Sequence, residues 1–310
     1  MILTLTANPS VDRSVLLDTP LVRHAVLRAT GELEQAGGKG VNISRAAVAA
    51  GVRTLAVLPA ERDSDFVREL TAAGIPSCPE RPAGPIRVNL TITEPDGTTT
   101  KINSPGAAVD AGSMALLAAA VTSRADDVDW IVLAGSLPPG APDSWYAELA
   151  TGLKGRRARV AVDTSGAPLL ALGHALADAA PDLLKPNGEE LGQLTGTPVH
   201  DLDQAAAAAR LLVDKGAGAV LATMGEAGAV LVDPTGAWHA AAPRISVVST
   251  VGAGDSSLFG YLRGDLRGEA PAERLRLAVA YGSAAAQLAG TGIPGPDQVH
   301  PEYVEVRRLD

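Results

Sequence analysis

The sequence predicts an α/β fold in which a mostly parallel central sheet is covered by helices on both faces and carries a small β-lid, and three observations predict it. Short apolar runs alternate with alanine-rich helical stretches along most of the chain, the pattern of βα units whose sheet is buried on both sides. Two segments in the N-terminal half break that rhythm with extended rather than helical patterning. Aromatic residues are scarce at 3% while alanine and glycine abound, and small side chains favour close packing of helix on sheet.

The apolar runs at residues 2–5, 54–58, 130–133, 159–162 and 219–222 read as buried strands. Between them, 41–50, 65–73, 112–123, 144–153 and 202–215 read as helices, mostly closed by glycine or a basic residue. Residues 15–34 lack a helical period, and 86–102 alternate around Pro95-Asp96-Gly97, a hairpin signal. Segments of about 13–35 and 86–102 are therefore expected to form the lid, a device that keeps water from reactive phosphates. Near the C-terminus, 253–265 and 271–289 read as two consecutive helices. No internal repeat or low-complexity linker divides the chain, so one domain over residues 1–310 is expected.

A formal net charge of −9 argues against a protein whose main task is binding nucleic acid. Cys78 is the lone cysteine, so no intramolecular disulfide forms and a cytoplasmic location is expected. The N-terminal Met1-Ile-Leu-Thr-Leu-Thr-Ala-Asn8 reads as a first strand rather than a signal peptide, and no 18-residue apolar run suggests a membrane span. His24, His174, His200, His239 and His300 are scattered without ligand spacing, which speaks against a zinc site.

The chemistry is concentrated in Ser249-Thr-Val-Gly-Ala-Gly-Asp-Ser-Ser-Leu-Phe259. Gly252 and Gly254 leave the backbone bare, and the helix that follows offers unpaired N–H groups at its positive dipole end. Gly252, Ala253 and Gly254 thus form a candidate anion hole, with the Asp255 carboxylate in the first helical turn beside it. Such a carboxylate takes a proton from an attacking hydroxyl while the amides stabilise the transferred group. The same four residues also fit a plain helix-starting turn with a dipole-favoured acid. An earlier cluster, Ala36-Gly-Gly-Lys-Gly-Val-Asn42, opens a second helix, where Gly37 and Gly38 admit a polyhydroxyl ligand and Lys39 and Asn42 supply charge and hydrogen bonds. A Walker A loop is excluded because Leu33 stands where its first glycine belongs and Gly40 where its Ser or Thr belongs. A dinucleotide fingerprint fails at Ser257, the place of its third glycine.

Taken together, the two glycine signatures resemble the phosphofructokinase B branch of ribokinase-like carbohydrate kinases. Asn8-Pro-Ser-Val-Asp12, Ser136-Leu-Pro-Pro-Gly140, Lys185-Pro-Asn-Gly-Glu-Glu-Leu191 and Thr223-Met-Gly225 agree with that family in its order, over essentially the whole chain. The resemblance implies a ribokinase-like three-layer sandwich with ATP and Mg2+ as cofactors. It implies Asp255 as base, Asp12, Gly37, Gly38, Lys39 and Asn42 as the sugar site, and Lys185, Thr223 and Gly225 around ATP. Asn187 and Glu190 fit the family's Asn-x-x-Glu element, with Glu190 acting on magnesium indirectly, through water and ATP phosphates. Within the family, 248–256 and 86–90 look most like 1-phosphofructokinases and tagatose-6-phosphate kinases. Arg28, Arg87 and Lys101 sit in the expected lid or at its edge and are candidates to clamp a substrate phosphate, against the alternative of solvated strand charges. Ser249 stands where ribokinases carry the aspartate of a monovalent-cation site, so potassium activation is not implied.

The expected reaction is phosphorylation of the 6-hydroxyl of fructose 1-phosphate, with tagatose 6-phosphate or fructose 6-phosphate, attacked by the 1-hydroxyl, as the runner-up. A non-catalytic sugar-phosphate sensor on the same fold is the alternative from another class. The open strand edges of a lid favour a homodimer through that surface, with no nucleic-acid or membrane partner expected.

Overall fold

The structure, a computed structural model, describes residues 1–290 and 292–309. Strand β1 (Ile2–Thr6) leads through Ala7, Asn8 and Pro9 into β2 (Ser10–Leu17), and β3 (Ala29–Gly37) returns through Gly38 into helix α1 (Lys39–Ala49). Next come β4 (Thr54–Pro59), α2 (Asp65–Ala72), β5 (Ser77–Glu80) and the hairpin of β6 (Arg87–Thr93) and β7 (Thr99–Asn103). The middle of the chain is α3 (Ala111–Thr122), β8 (Trp130–Ala134), α4 (Trp145–Leu153), β9 (Arg159–Asp163), α5 (Gly166–His174) and α6 (Leu176–Ala179). It continues with β10 (Leu183–Leu184), α7 (Gly188–Thr195), α8 (Leu202–Asp214) and β11 (Val220–Thr223). The last part holds β12 (Ala229–Asp233), β13 (Gly236–Ala240), α9 (Ala253–Leu266), α10 (Pro271–Ala286) and β14 (Val306–Arg308).

The large sheet has the order β14-β13-β12-β11-β10-β9-β8-β1-β4-β5, parallel from β11 to β5. Side-chain alternation sorts its two faces. Leu3, Leu5, Ile131, Leu133, Val160 and Val162 pack with α3 to α8, whereas Ile2, Trp130, Val132 and Ala161 pack with α1, α9 and α10. That is the expected three-layer arrangement. The small sheet has the order β3-β2-β6-β7 and uses the segments whose patterning excluded helix.

Several boundaries and elements differ from the sequence reading. Helix α1 begins at Lys39 rather than at residue 41, because Gly38 takes φ 112° as its N-cap and places Lys39 in the first turn. Helix α10 stops at Ala286, not at residue 289. The antiparallel edge of β12, β13 and β14 was not anticipated, although its hairpin turn is set by Asp233, whose Oδ1 accepts the Thr235 amide at 2.7 Å and its hydroxyl at 2.6 Å. Helices α5, α6 and α7 were likewise not read from the sequence.

Candidate active site

Strands β1, β8, β9, β10 and β11 run the same way, so their C-terminal ends open on one edge, the usual ligand-binding edge of a parallel sheet. Asn8, Ser136, Asp163, Lys185 and Thr223 sit at or just beyond those ends. The N-termini of α1 and α9 meet there: Asn42 Nδ2 donates to Asp255 Oδ2 at 2.8 Å, although the two residues are 213 positions apart. The early and late glycine signatures are thus one site.

Asp255 lies in the first turn of α9, buried, one turn past an N-cap made by Gly252 in the left-handed region at φ 77°. In the first turn the Ala253 amide donates to the Thr250 carbonyl at 3.4 Å, while the Gly254 amide has no intrahelical acceptor. Burial pushes the Asp255 carboxyl up to about 6; Lys39 and the Asn42 hydrogen bond oppose the shift, and the charge of Asp163 adds to it. A carboxylate poised just below neutrality suits a general base.

Asp163, which the sequence reading did not single out, is wholly buried at the end of β9. Its Oδ1 accepts from Lys39 Nζ at 2.6 Å, and its Oδ2 stands 3.2 Å from Lys185 Nζ, an ion pair without hydrogen-bond alignment. Burial alone would raise the Asp163 carboxyl, but Lys185 and Lys39 outweigh it and hold it below the usual range. Burial likewise works against the Lys39 ammonium, and the charges of Asp163 and Asp255 reverse that effect and hold it above its ordinary value. The signal for Asp163 was Val160-Ala-Val-Asp163 itself, an acid closing a buried apolar strand at the ligand-binding edge.

On the small sheet, register puts Ser10 beside Arg87 and Asp12 beside Asn89. Asp12 Oδ1 accepts from Ser10 Oγ at 2.8 Å and from Asn89 Nδ2 at 3.2 Å, and burial raises its carboxyl against those bonds. A Cβ on Gly37 would lie 2.2 Å from Asp12 Oδ2, so a side chain there would push the Asp12 carboxylate off its present partners. Arg87 donates to the Ser104 carbonyl at 3.0 Å and Ser136 Oγ at 3.3 Å, and its buried Nε has no acceptor. Burial works against its charge, with Asp12 in support. Arg28 and Lys101 are different. Both are exposed, Arg28 before β3 and Lys101 on the outer strand β7, and neither side chain makes a hydrogen bond or ion pair among the described residues.

The nucleotide candidates gather on the other side of α9. Lys185 is buried, and its Nζ lies 3.4 Å from the point a Cβ on Gly254 would occupy, so the lysine borders the anion hole. Asn187 and Glu190 form a reciprocal cap on α7: Asn187 Oδ1 accepts the Glu190 amide and Glu190 Oε2 accepts the Asn187 amide, each at 2.8 Å. A bridge joins Asn187 to Thr223, and Gly225 follows in a short turn at φ 58°. Ser249 Oγ donates to the Gly290 carbonyl at 3.0 Å and accepts the Val251 amide at 3.2 Å.

The model of the pfkB family carbohydrate kinases matches residues 16–298, and the chain belongs to that family. It is 38% identical to a 1-phosphofructokinase of Rhodobacter capsulatus, covering 96% of this chain and 94% of that protein. A 1-phosphofructokinase of Bacillus subtilis is 32% identical over 92% of each chain. The crystal structure of phosphofructokinase-2 from Escherichia coli in complex with substrates and products superposes with a TM-score of 0.86 at 28% identity, covering 96% of each chain. The protein is accordingly a sugar kinase, a phosphotransferase with an alcohol acceptor.

Proposed function

We propose that this kinase transfers the γ-phosphoryl group of ATP to the 6-hydroxyl of fructose 1-phosphate, giving fructose 1,6-bisphosphate. The observation that carries it is the buried Asp255 carboxylate in the first turn of α9, within hydrogen-bond reach of Asn42 on the sugar side. Asp255 takes the proton of the attacking hydroxyl, and the amides of Gly252, Ala253 and Gly254 stabilise charge on the phosphoryl in transfer. Asp12 and Asn42, with the bare backbone of Gly37 and Gly38, hold the sugar hydroxyls, and Lys39 lends positive charge. Arg87 leads the grip on the sugar's own phosphate, with Arg28 and Lys101 adding charge from the exposed rim.

Lys185, Asn187, Thr223 and Gly225 hold ATP. Glycine at 254 leaves room beside Lys185 Nζ for a phosphate oxygen, which fits a nucleotide tail there. Among the described residues no group of three His, Cys, Asp or Glu side chains could hold a metal ion, so Mg2+ is assigned to ATP oxygens and water with Glu190 acting at one remove. Bound there, magnesium neutralises charge on the phosphates.

The small sheet serves as a lid, and the chain forms one domain with it. Leu16, Leu33 and Ile102 on its strands are exposed, which supports pairing of two lids in a homodimer. Among the described residues no helix is long and apolar enough to cross a membrane, and the reading keeps the enzyme in the cytoplasm. The test is an ADP-release panel with magnesium and ATP. Turnover with fructose 1-phosphate well above that with fructose 6-phosphate, tagatose 6-phosphate and free sugars is expected. A preference for a 6-phosphate would overturn the substrate, and binding without turnover would favour the sensor.

A further inference from the structure

We propose that Asp163 is a positioning residue that keeps the base free: it draws Lys39 away from Asp255 and holds Lys39 and Lys185 on opposite sides of the reacting phosphoryl group. The inference rests on the reading above, in which Lys39 serves the sugar and Lys185 the nucleotide. Asp163 is well placed to act as an anchor. Strand β9 is paired on both sides, by β8 and β10, and the Asp163 carbonyl accepts the Gly135 amide at 2.9 Å, so the backbone that carries the carboxylate is fixed. The side chain is wholly buried and cannot exchange its partners for water.

Two lysines and two carboxylates share this interior. Lys39 feels both Asp163 and Asp255, yet its Nζ bonds to Asp163 at 2.6 Å while Asp255 is left with the neutral amide of Asn42. That division matters chemically. An ammonium bonded directly to Asp255 would stabilise its anion and make it a weaker base. Holding the ammonium on a second carboxylate keeps its positive charge near the transferred group without spending the basicity of Asp255. The other oxygen of Asp163 holds Lys185, which borders Gly254 at the anion hole. One carboxylate therefore sets the positions of cations from the α1 end and the β10 end of the cleft.

The experiment compares wild type with Asp163→Asn in kcat and KM against pH, and records the side-chain ammonium signals of protein labelled with 15N at lysine. The groups facing Asp255 are Lys39 and Asn42 from α1, Asp163 at the end of β9 and Lys185 beyond β10. In Asp163→Asn, Lys39 turns to Asp255, so kcat falls on the order of 100-fold and the acidic limb of the pH profile moves to lower pH. Because the charge of Asp163 itself raises Asp255, its removal lowers that limb whether or not Lys39 moves, so the lysine signals decide: in Asp163→Asn the Lys39 ammonium is expected to shift and to change its proton exchange, and an unmoved limb or an unchanged Lys39 signal overturns the proposal. The chain has five lysines, so the spectrum is simple, and Lys39→Arg and Lys185→Arg assign it. Wild-type Lys39 and Lys185 are expected to exchange their ammonium protons more slowly than Lys101, Lys154 and Lys215. Equal exchange in all five overturns the anchor even if Asp163→Asn does not fold. A wild type with no activity on any sugar phosphate sinks the functional reading alone, because the lysine spectrum still decides the anchor.

Discussion

Asp255 carries two opposed demands, since the burial that tunes its basicity also makes its charge costly. Its folded pKa of about 6 lies above the ordinary carboxylate value of 3.8, so between those values the folded protein binds more protons than the unfolded chain. The stability cost of ionising it appears as pH rises through that window and is complete above 6. Asp255→Asn should therefore melt higher than wild type at pH 8, with the advantage fading as pH falls toward 4, while kcat drops on the order of 10²–10⁴-fold. Thermal melts at both pH values and steady-state rates check the pair of effects; near-normal turnover would remove the base. In wild type, kcat/KM should rise through about pH 6 and level off above it, read from a rate profile at fixed ionic strength. Arg87→Ala should raise KM for the phosphorylated sugar by roughly 10–100-fold, the worth of a charged hydrogen bond, with KM for ATP little changed. An unaltered KM for the sugar phosphate would count against the clamp.

At the scale of elements, the turn between β3 and α1 is where sequence and structure are most tightly tied. Gly37→Ala puts a methyl 2.2 Å from the Asp12 carboxylate, which must leave Ser10 and Asn89 to make room. The expected result is a large loss of sugar affinity with a fold that still melts cooperatively, measured by calorimetry beside kinetics; wild-type KM would show that Asp12 does not hold the sugar. The helix start at Gly252 could be read in the sequence because glycine beside a helical period has few other uses, whereas in the sequence α1 reads as starting at residue 41. Asp163 escaped because its meaning lies in two lysines 124 and 22 positions away, a convergence made by the topology of the sheet. The edge hairpin β12–β13 escaped for another reason. Its turn, Asp233-Pro-Thr-Gly236, lacks the Asn-Gly or Asp-Gly pair that marks a two-residue hairpin. For Arg28 and Lys101 the sequence leaves both readings open, because a basic residue on or beside a strand looks the same whether it grips a ligand or faces solvent.

Across the whole molecule, α9 is secured at both ends. Its N-terminus lines the candidate site, and near its C-terminus Asp265 accepts from Trp130 Nε1 at 2.8 Å, pairs with Arg159, and stands 2.9 Å from Arg274 of α10. Asp265→Ala leaves those donors unmatched and should cost roughly 2–3 kcal/mol, less than a fully buried pair because Arg159 is partly exposed. Denaturant unfolding measures that loss, and KM for both substrates should hold; a stability equal to wild type would refute the buttress. The alternation of βα units, the three layers and the second sheet were all legible because each depends on local periodicity.

The passage from β1 to β2 through Asn8 has a mechanical consequence. Asn8 is buried, its amide donating to the carbonyl of Pro105 at 3.0 Å, which anchors the chain where it enters the small sheet. Any rocking about that pivot displaces each strand position in proportion to its distance from it. Ser10 and Asp12 would travel least and the far end around Leu17 and Thr93 most, which suits the proposed lid: sugar would enter and product leave there without displacing Asp12.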